Sequence, residues 1–263
     1  MAKRSASAAP RVGKAASARG GGARRAARRT GPIGWLLGRL RRLVAMVFRV
    51  ALLAAVVLLL AIGAMRWIDP PGGPYMWGEA WRLGGVAYRP ISLDAIGLDA
   101  ARAAVAAEDA RFCTHAGIDW TAVHSAIEDY RQTGRLRGAS TITQQTAKNV
   151  FLWHGRTMVR KALEVPFAGV IELIWGKRRI LEVYLNVAEF DEGVFGIDAA
   201  ARHYYGVPAQ ALLPLQTARL MTLLPSPKTR HPRALDSRLE RRARQIAAGA
   251  QTVVSQDLDS CIR

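Results

Sequence analysis

A chain of 263 residues is long enough for one or two domains with a sizeable buried core. It carries 38 Lys or Arg against 20 Asp or Glu, a formal charge of +18, yet residues 1–49 hold 13 of the basic side chains and none of the acidic ones. The rest holds 25 basic and 20 acidic side chains, which excludes a uniformly basic protein and assigns the extreme charge to a tail.

Residues 1–42 are mostly Ala, Gly, Ser and Arg with almost nothing to bury, a composition that predicts a disordered tail. Some 40 residues precede the first apolar segment, which argues against a secretory signal. That segment, "LVAMVFRVALLAAVVLLLAIGAM", predicts a single transmembrane helix over 43–67, since about 20 apolar residues cross a bilayer. Arg49 and Arg66 can snorkel toward head groups, and Trp67 sits where an interfacial aromatic would. Arginines crowd its N-terminal side, so the positive-inside bias places the tail in the cytoplasm and the remainder in the periplasm.

Residues 68–90, "DPPGGPYMWGEAWRLGGVAYRP" at their core, are rich in Pro, Gly and aromatics and predict a linker with extended pieces. Helix signals dominate from Ser92 onward. The run to Phe112 is built of helix formers behind Ser and Asp caps, and Trp120, Val123, Ile127 and Tyr130 recur at helical spacing after Asp119. Further helices are expected over 140–150, 157–175, 177–188, 194–205, 208–223 and 233–254, with Gly-rich joints at "TGRLRGAS" and "FDEGVFG". Alternating strand patterns are scarce, so the fold class is mainly α. Cys113 and Cys261 can form one bridge in an oxidising compartment; two unpaired thiols are an equal reading. No CxxC or clustered Cys/His spacing marks a structural metal.

Three stretches carry chemistry. In "AAEDARFCTHAGIDW", Glu108 and Asp109 end an apolar run, near a helix C-terminus where the dipole disfavours negative charge. Such a pair either solvates the helix end or holds one carboxylate in a pocket to move a proton, while Phe112 and His115 read as packing groups. In "RGASTITQQTAKNVF", Ser140 can cap a helix starting at Thr141, with Ser140, Gln144 and Lys148 on one face and Gln145 and Asn149 beside them. Hydroxyl, amide and ammonium groups so arranged suit phosphate or sugar oxygens; the plainer reading is a solvated stripe. In "GRTMVRKALEVPF", Arg156, Arg160 and Glu164 fall at four-residue steps with Lys161 three before Glu164, either a helical ion pair or a cationic cradle. Pro166 can kink this helix. Glu182 and Asn186 are also four apart in "ILEVYLN".

"EDARFCTHAGID", "RGASTITQQTAKN", "RKALE" and "KRRILEVYLNVAEFDEGVFGIDAAARHYYG" occur in the order and nearly the form of the peptidoglycan glycosyltransferases (family 51), which this chain resembles over roughly 80–232. The resemblance implies a lysozyme-like, two-lobed glycosyltransferase domain over 91–232 behind the membrane helix, followed by a C-terminal helical tail at 233–263. It implies polymerisation of lipid II, and the absence of Ser-x-x-Lys and Lys-Thr-Gly patterns implies no transpeptidase activity. Glu108 resembles the family's general base and Glu164 its second essential acid. Lys148 and Arg156, with Arg160 and Lys161, resemble the cations that meet the leaving diphosphate. Ser140, Thr141, Gln144, Gln145 and Asn149 resemble substrate-positioning groups, with Asp109, Phe112, His115, Glu182 and Asn186 in support. No cofactor is required; a divalent cation, Mg2+ or Mn2+, at the diphosphate is the one candidate. Expected partners are lipid II, the growing strand, the inner membrane and other cell-wall synthesis proteins, not nucleic acid.

Two other functions compete. A lysozyme-like glycan hydrolase or lytic transglycosylase would use Glu108 as a general acid, but a neutral glycan needs no cationic cradle. A membrane-anchored protein binding nucleic acid or anionic lipid through its arginine tail leaves the motifs beyond the membrane segment unexplained.

Overall fold

A computed structural model describes residues 32–134, 138–155 and 157–263. The chain divides into two compact units, Met1–Leu53 and Ala54–Arg263. The first helix, α1 (Pro32–Ala64), contains a 30-residue candidate membrane span, Trp35–Ala64, whose most apolar 18-residue window has a mean hydropathy of 2.8. By length and composition it fits a single-pass membrane anchor, since 30 residues rise ~45 Å against a hydrocarbon core of ~30 Å. It starts earlier than the expected 43–67, because the arginines at 39, 41 and 42 are good helix formers and do not interrupt it.

Within Ala54–Arg263 the elements are α2 (Pro74–Leu83), β1 (Ala87–Tyr88), α3 (Leu93–Ile96), α4 (Leu98–Glu108), α5 (Trp120–Thr133), α6 (Ile142–Phe151), α7 (Met158–Trp175), α8 (Lys177–Val187), β2 (Glu189–Asp191), β3 (Val194–Phe195), α9 (Ile197–Tyr205), α10 (Pro214–Met221) and α11 (Ser237–Ser255). The described part is mainly helical. Its one sheet has the order β1-β3-β2, with β1 parallel and β2 antiparallel to β3. "FDEGVFG", expected as a joint, forms the β2–β3 hairpin with Val194 and Phe195 buried.

The segment expected as an extended linker contains α2. Pro74 at its first turn presets a helical φ, and left-handed Gly84 ends it. Gly73 passes so close to the Asn149 carbonyl that a Cβ there would collide with it, so α2 packs tightly on the end of α6. The helix-former run expected to reach Phe112 stops at Glu108, and Gly97, at φ 92°, separates α3 from α4.

α8 lies at the centre. Ile180, Leu181, Val183, Tyr184, Leu185 and Val187 are all buried, as in a helix surrounded by others. α6, α7, α3, α4 and α9 pack on it, and α11 packs on α4 and α10. Residues 233–263 therefore lie against the helix that carries Glu108. A disulfide between Cys113 and Cys261 closes that end, settling the question the cysteine count left open. α7 continues through Pro166. At the foot of the unit, Trp175 Nε1 donates to the Ile62 carbonyl at 2.7 Å, and Arg179 donates to the Met65 and Ile68 carbonyls and to Asp69.

Candidate active site

The adjacent carboxylates at the end of α4 have different environments. Asp109 leaves the helix at φ −157° and is buried, with an oxygen 3.0 Å from His115 Nε2. Its Oδ2 accepts the Ile142 N–H at 3.1 Å, placing a negative charge at the positive end of α6. Asp109 thus ties three segments together, and His115, itself buried, is aimed at it. Phe112 is fully buried, with the Lys177 ammonium 4.4 Å above its ring.

Glu108 is only partly buried and borders two clefts. Burial pushes its carboxyl above the usual carboxylate range, against the opposing pull of the Gln145 hydrogen bond and the Arg242 and Lys148 charges. Gln145 Nε2 donates to Glu108 Oε2 at 2.9 Å, while Tyr184 donates to Gln145 Oε1 and orients the amide.

The start of α6 is set by Thr141, not by Ser140 as expected. Thr141 Oγ1 accepts the Gln144 N–H and Gln144 Oε1 accepts the Thr141 N–H, a capping box, with Thr141 also donating to the Gly117 carbonyl at 2.6 Å. Thr141 and Gln144 are accordingly buried and engaged in backbone contacts. Ser140 lies one residue outside, where its Oγ accepts from Lys161 Nζ at 2.7 Å.

α7 supplies the cations. Thr157 caps it, and Glu164, at 2 % exposure, accepts from Arg160 and from Lys161 Nζ, the latter at 2.6 Å. Arg160 Nε also holds the Gly155 carbonyl at 2.7 Å. Lys148 sits in the same field: burial and the charges of Arg160 and Lys161 lower its pKa, while Glu164 and Glu108 act the other way. Lys148, Asn149, Gln145 and Arg160 line one wall of a cleft of about 520 Å³.

Gln145, Lys148, Asn149 and Arg160 thus line one cleft, with Lys161 and Arg160 both paired to Glu164, while Ser140 and Glu108 border another and Gln145 bonds Glu108. Arg156 lies outside the described residues. Glu182 and Asn186 face elsewhere: Glu182 accepts the Leu93 N–H at 2.6 Å, and Asn186 bonds both backbone groups of Ile91.

Sequence reasoning missed the opposite wall of the cleft. Tyr75 stacks on His154 with centroids 4.0 Å apart and donates to Glu189 at 2.9 Å. Lys228 Nζ bonds Glu79 at 2.9 Å. Burial opposes charge on Lys228, but the hydrogen bonds to Glu79 and Tyr75 and the Glu189 carboxylate outweigh it and hold its pKa above the ordinary lysine value. Arg242, whose Nη2 donates to the Ala107 carbonyl at 2.9 Å beside Glu108, was also missed. Its only local signal was the run of arginines in "SRLERRARQ".

A cleft lined by Lys148 and the Glu164-paired Arg160, with a raised carboxyl joined to that wall through Gln145, suits transfer of a sugar from a charged leaving group. Residues 82–251 match the family model described as Transglycosylase, and the chain belongs to that family. It is 47 % identical over 205 residues to a biosynthetic peptidoglycan transglycosylase of Jannaschia sp. (strain CCS1), covering 78 % of this chain and 84 % of that protein. It is 46 % identical over 218 residues to the protein of that name from Rhodospirillum centenum (81 % and 93 % covered), and 44 % over 222 residues to that of Xanthomonas campestris pv. campestris (79 % and 90 %). The protein is a peptidoglycan transglycosylase, a glycosyltransferase.

Proposed function

We propose that this enzyme polymerises lipid II into β-1,4 glycan by an inverting transfer with Glu108 as general base. The 4-hydroxyl oxygen of the acceptor GlcNAc bonds to the anomeric carbon of the donor MurNAc, and its proton passes to Glu108. The bond from that carbon to the diphosphate breaks, and undecaprenyl pyrophosphate leaves with the electron pair. The observation that carries this reading is the position of Glu108: a carboxyl raised by burial toward operating pH, bonded through Gln145 to the helix that presents Lys148 to the cationic side of the cleft.

Charge developing on the leaving diphosphate is met by Lys148 and by Arg160 and Lys161, the latter two already oriented by Glu164 and needing little reorganisation during the reaction. Asn149 and Ser140 position substrate oxygens beside them. Thr141, Gln144 and Asp109 fix the α6 end on which Gln145 and Lys148 stand, and Glu182 and Asn186 brace α8 behind it. The cationic side does not suit a resident divalent cation, because Glu164, its one buried carboxylate, is paired with Arg160 and Lys161. No step is assigned to a metal.

The apolar helix anchors the enzyme in the inner membrane, with the arginine-rich tail cytoplasmic and the catalytic domain periplasmic, where lipid II is presented. The test is polymer formation from labelled lipid II by the detergent-solubilised protein, beside Glu108→Gln. Polymer from the parent and a loss of about 10²-fold or more in a folded Glu108→Gln is the expected result. A folded parent that makes no polymer but releases fragments from preformed glycan would overturn the reading in favour of a hydrolase.

A further inference from the structure

On the far side of Glu108 from the diphosphate cations lies a cleft of about 580 Å³ bordered by Glu108, Arg230, Arg238, Arg241, Arg242 and Gln245. Arg238, Arg241, Arg242 and Gln245 fall at i, i+3, i+4 and i+7 on α11 and so form one helical face. Ala243 and Ile246 are buried and seat that helix against α4 and α10. Arg242 is held to the Ala107 carbonyl and Arg230 to the Thr222 carbonyl, so both guanidinium groups are oriented from the protein side. Among the described residues, Arg238 and Arg241 make no ion pair. Asp236, the one acid on the rim besides Glu108, caps α11 through the Leu239 N–H at 2.7 Å. Glu240 points to the other side, where it pairs with Arg219 at 2.8 Å.

Four guanidinium groups around an opening that meets the reacting carboxyl form a receptor for oxyanions, and planar forked donors match carboxylates in particular. Resting on the lipid II reading, we propose that this arginine face binds the free carboxylates of the stem peptide carried on the MurNAc next to the bond being formed. The diphosphate has its own cations across Gln145, on α6 and α7. What remains anionic in the substrate is the peptide, and every strand sugar that passes Glu108 brings one within a sugar's width. Arg238 and Arg241 thus read the peptide, and Arg242 joins that readout to Glu108.

The test compares the full-length protein with Arg238→Gln/Arg241→Gln on two substrates: lipid II with free peptide carboxylates and lipid II with those groups amidated. The double variant is expected to raise KM about tenfold for the free-carboxylate substrate, leave kcat unchanged and leave the amidated substrate unaffected, with Arg→Lys at both positions restoring part of the loss. An equal rise in KM for both substrates would assign the face to the diphosphate or the sugars, and no change for either would make it solvated surface; each overturns the proposal. Binding of a soluble muramyl peptide, free or amidated, gives the same comparison without turnover. A parent that makes no polymer yet prefers the free-carboxylate peptide, with that preference lost in the double variant, sinks the polymerase reading alone; a parent with no preference sinks the peptide site.

Discussion

Gln145 Nε2 lies 2.9 Å from Glu108 Oε2, a hydrogen bond that joins the first residue of the proposed chemistry to the helix carrying Lys148. The bond favours the ionised carboxylate, while burial disfavours it more strongly and leaves the carboxyl above its ordinary value. A base so placed is active above its pKa. The acid limb of kcat/KM is expected above the ordinary carboxylate range, and the alkaline limb, set by the depressed Lys148, below the ordinary lysine range. A pH–rate profile on lipid II checks both limbs; limbs at the ordinary values would remove both assignments.

Gln145→Ala deletes the donor and leaves the burial. The Glu108 pKa then rises further, the acid limb moves up by about one pH unit, and activity at fixed pH near that limb falls about tenfold. Raising the pH recovers the activity. A loss independent of pH would mean that Gln145 serves only to hold substrate.

Glu164 is buried between Arg160 and Lys161, so Glu164→Gln leaves two cations without their carboxylate and is expected to cost about 3 kcal/mol of stability. The same change removes a negative charge that supports ionised Lys148, and the alkaline limb therefore moves to lower pH. Thermal unfolding reads the first effect and the pH profile the second. An unmoved alkaline limb would separate Glu164 from Lys148.

Asn186 is 2 % exposed and bonds the Ile91 N–H, the Ile91 carbonyl and the Glu182 carbonyl at 3.0, 2.8 and 2.9 Å. Asn186→Ala strands buried backbone groups and is expected to lower stability by about 3 kcal/mol while leaving kcat of the folded fraction within about twofold. A collapse of kcat at unchanged stability would instead place Asn186 at the substrate.

The Cys113–Cys261 bridge spans 148 residues and fastens the chain end beside the loop that follows Glu108. Its loss in Cys113→Ala should lower stability by about 4 kcal/mol or more in the chain-entropy account and drop Tm by roughly 10 °C. Parent protein treated with dithiothreitol should match the variant, and the variant should not respond to reductant. Equal Tm values with and without the bridge would leave it no stabilising part.

The sequence by itself determined what depends on near neighbours. Helical periodicity placed α5 through α9 within a few residues, because each buries one face and its apolar residues recur every three or four positions. The Arg160–Glu164 pair was legible for the same reason, since four residues make one helical turn. It also marked the Glu108–Asp109 pair as unusual, because a carboxylate pair at a helix C-terminus opposes the dipole. Tertiary structure decided which of the two carboxylates is available. Asp109 is taken up by His115 and the Ile142 N–H, groups 6 and 33 residues away, which leaves Glu108 to face the clefts. It also turned Thr141 and Gln144 inward as a capping box and directed Glu182 and Asn186 to the Leu93 and Ile91 backbone. The far wall of the cleft was invisible beforehand. Tyr75 meets Glu189 across 114 positions, Lys228 meets Glu79 across 149, and Arg242 reaches the Ala107 carbonyl across 135. Contacts of that span leave no periodic trace in a sequence, because only the packing of α2 on α6, of α11 on α4, and of α4 and α6 on the buried α8 brings their partners together.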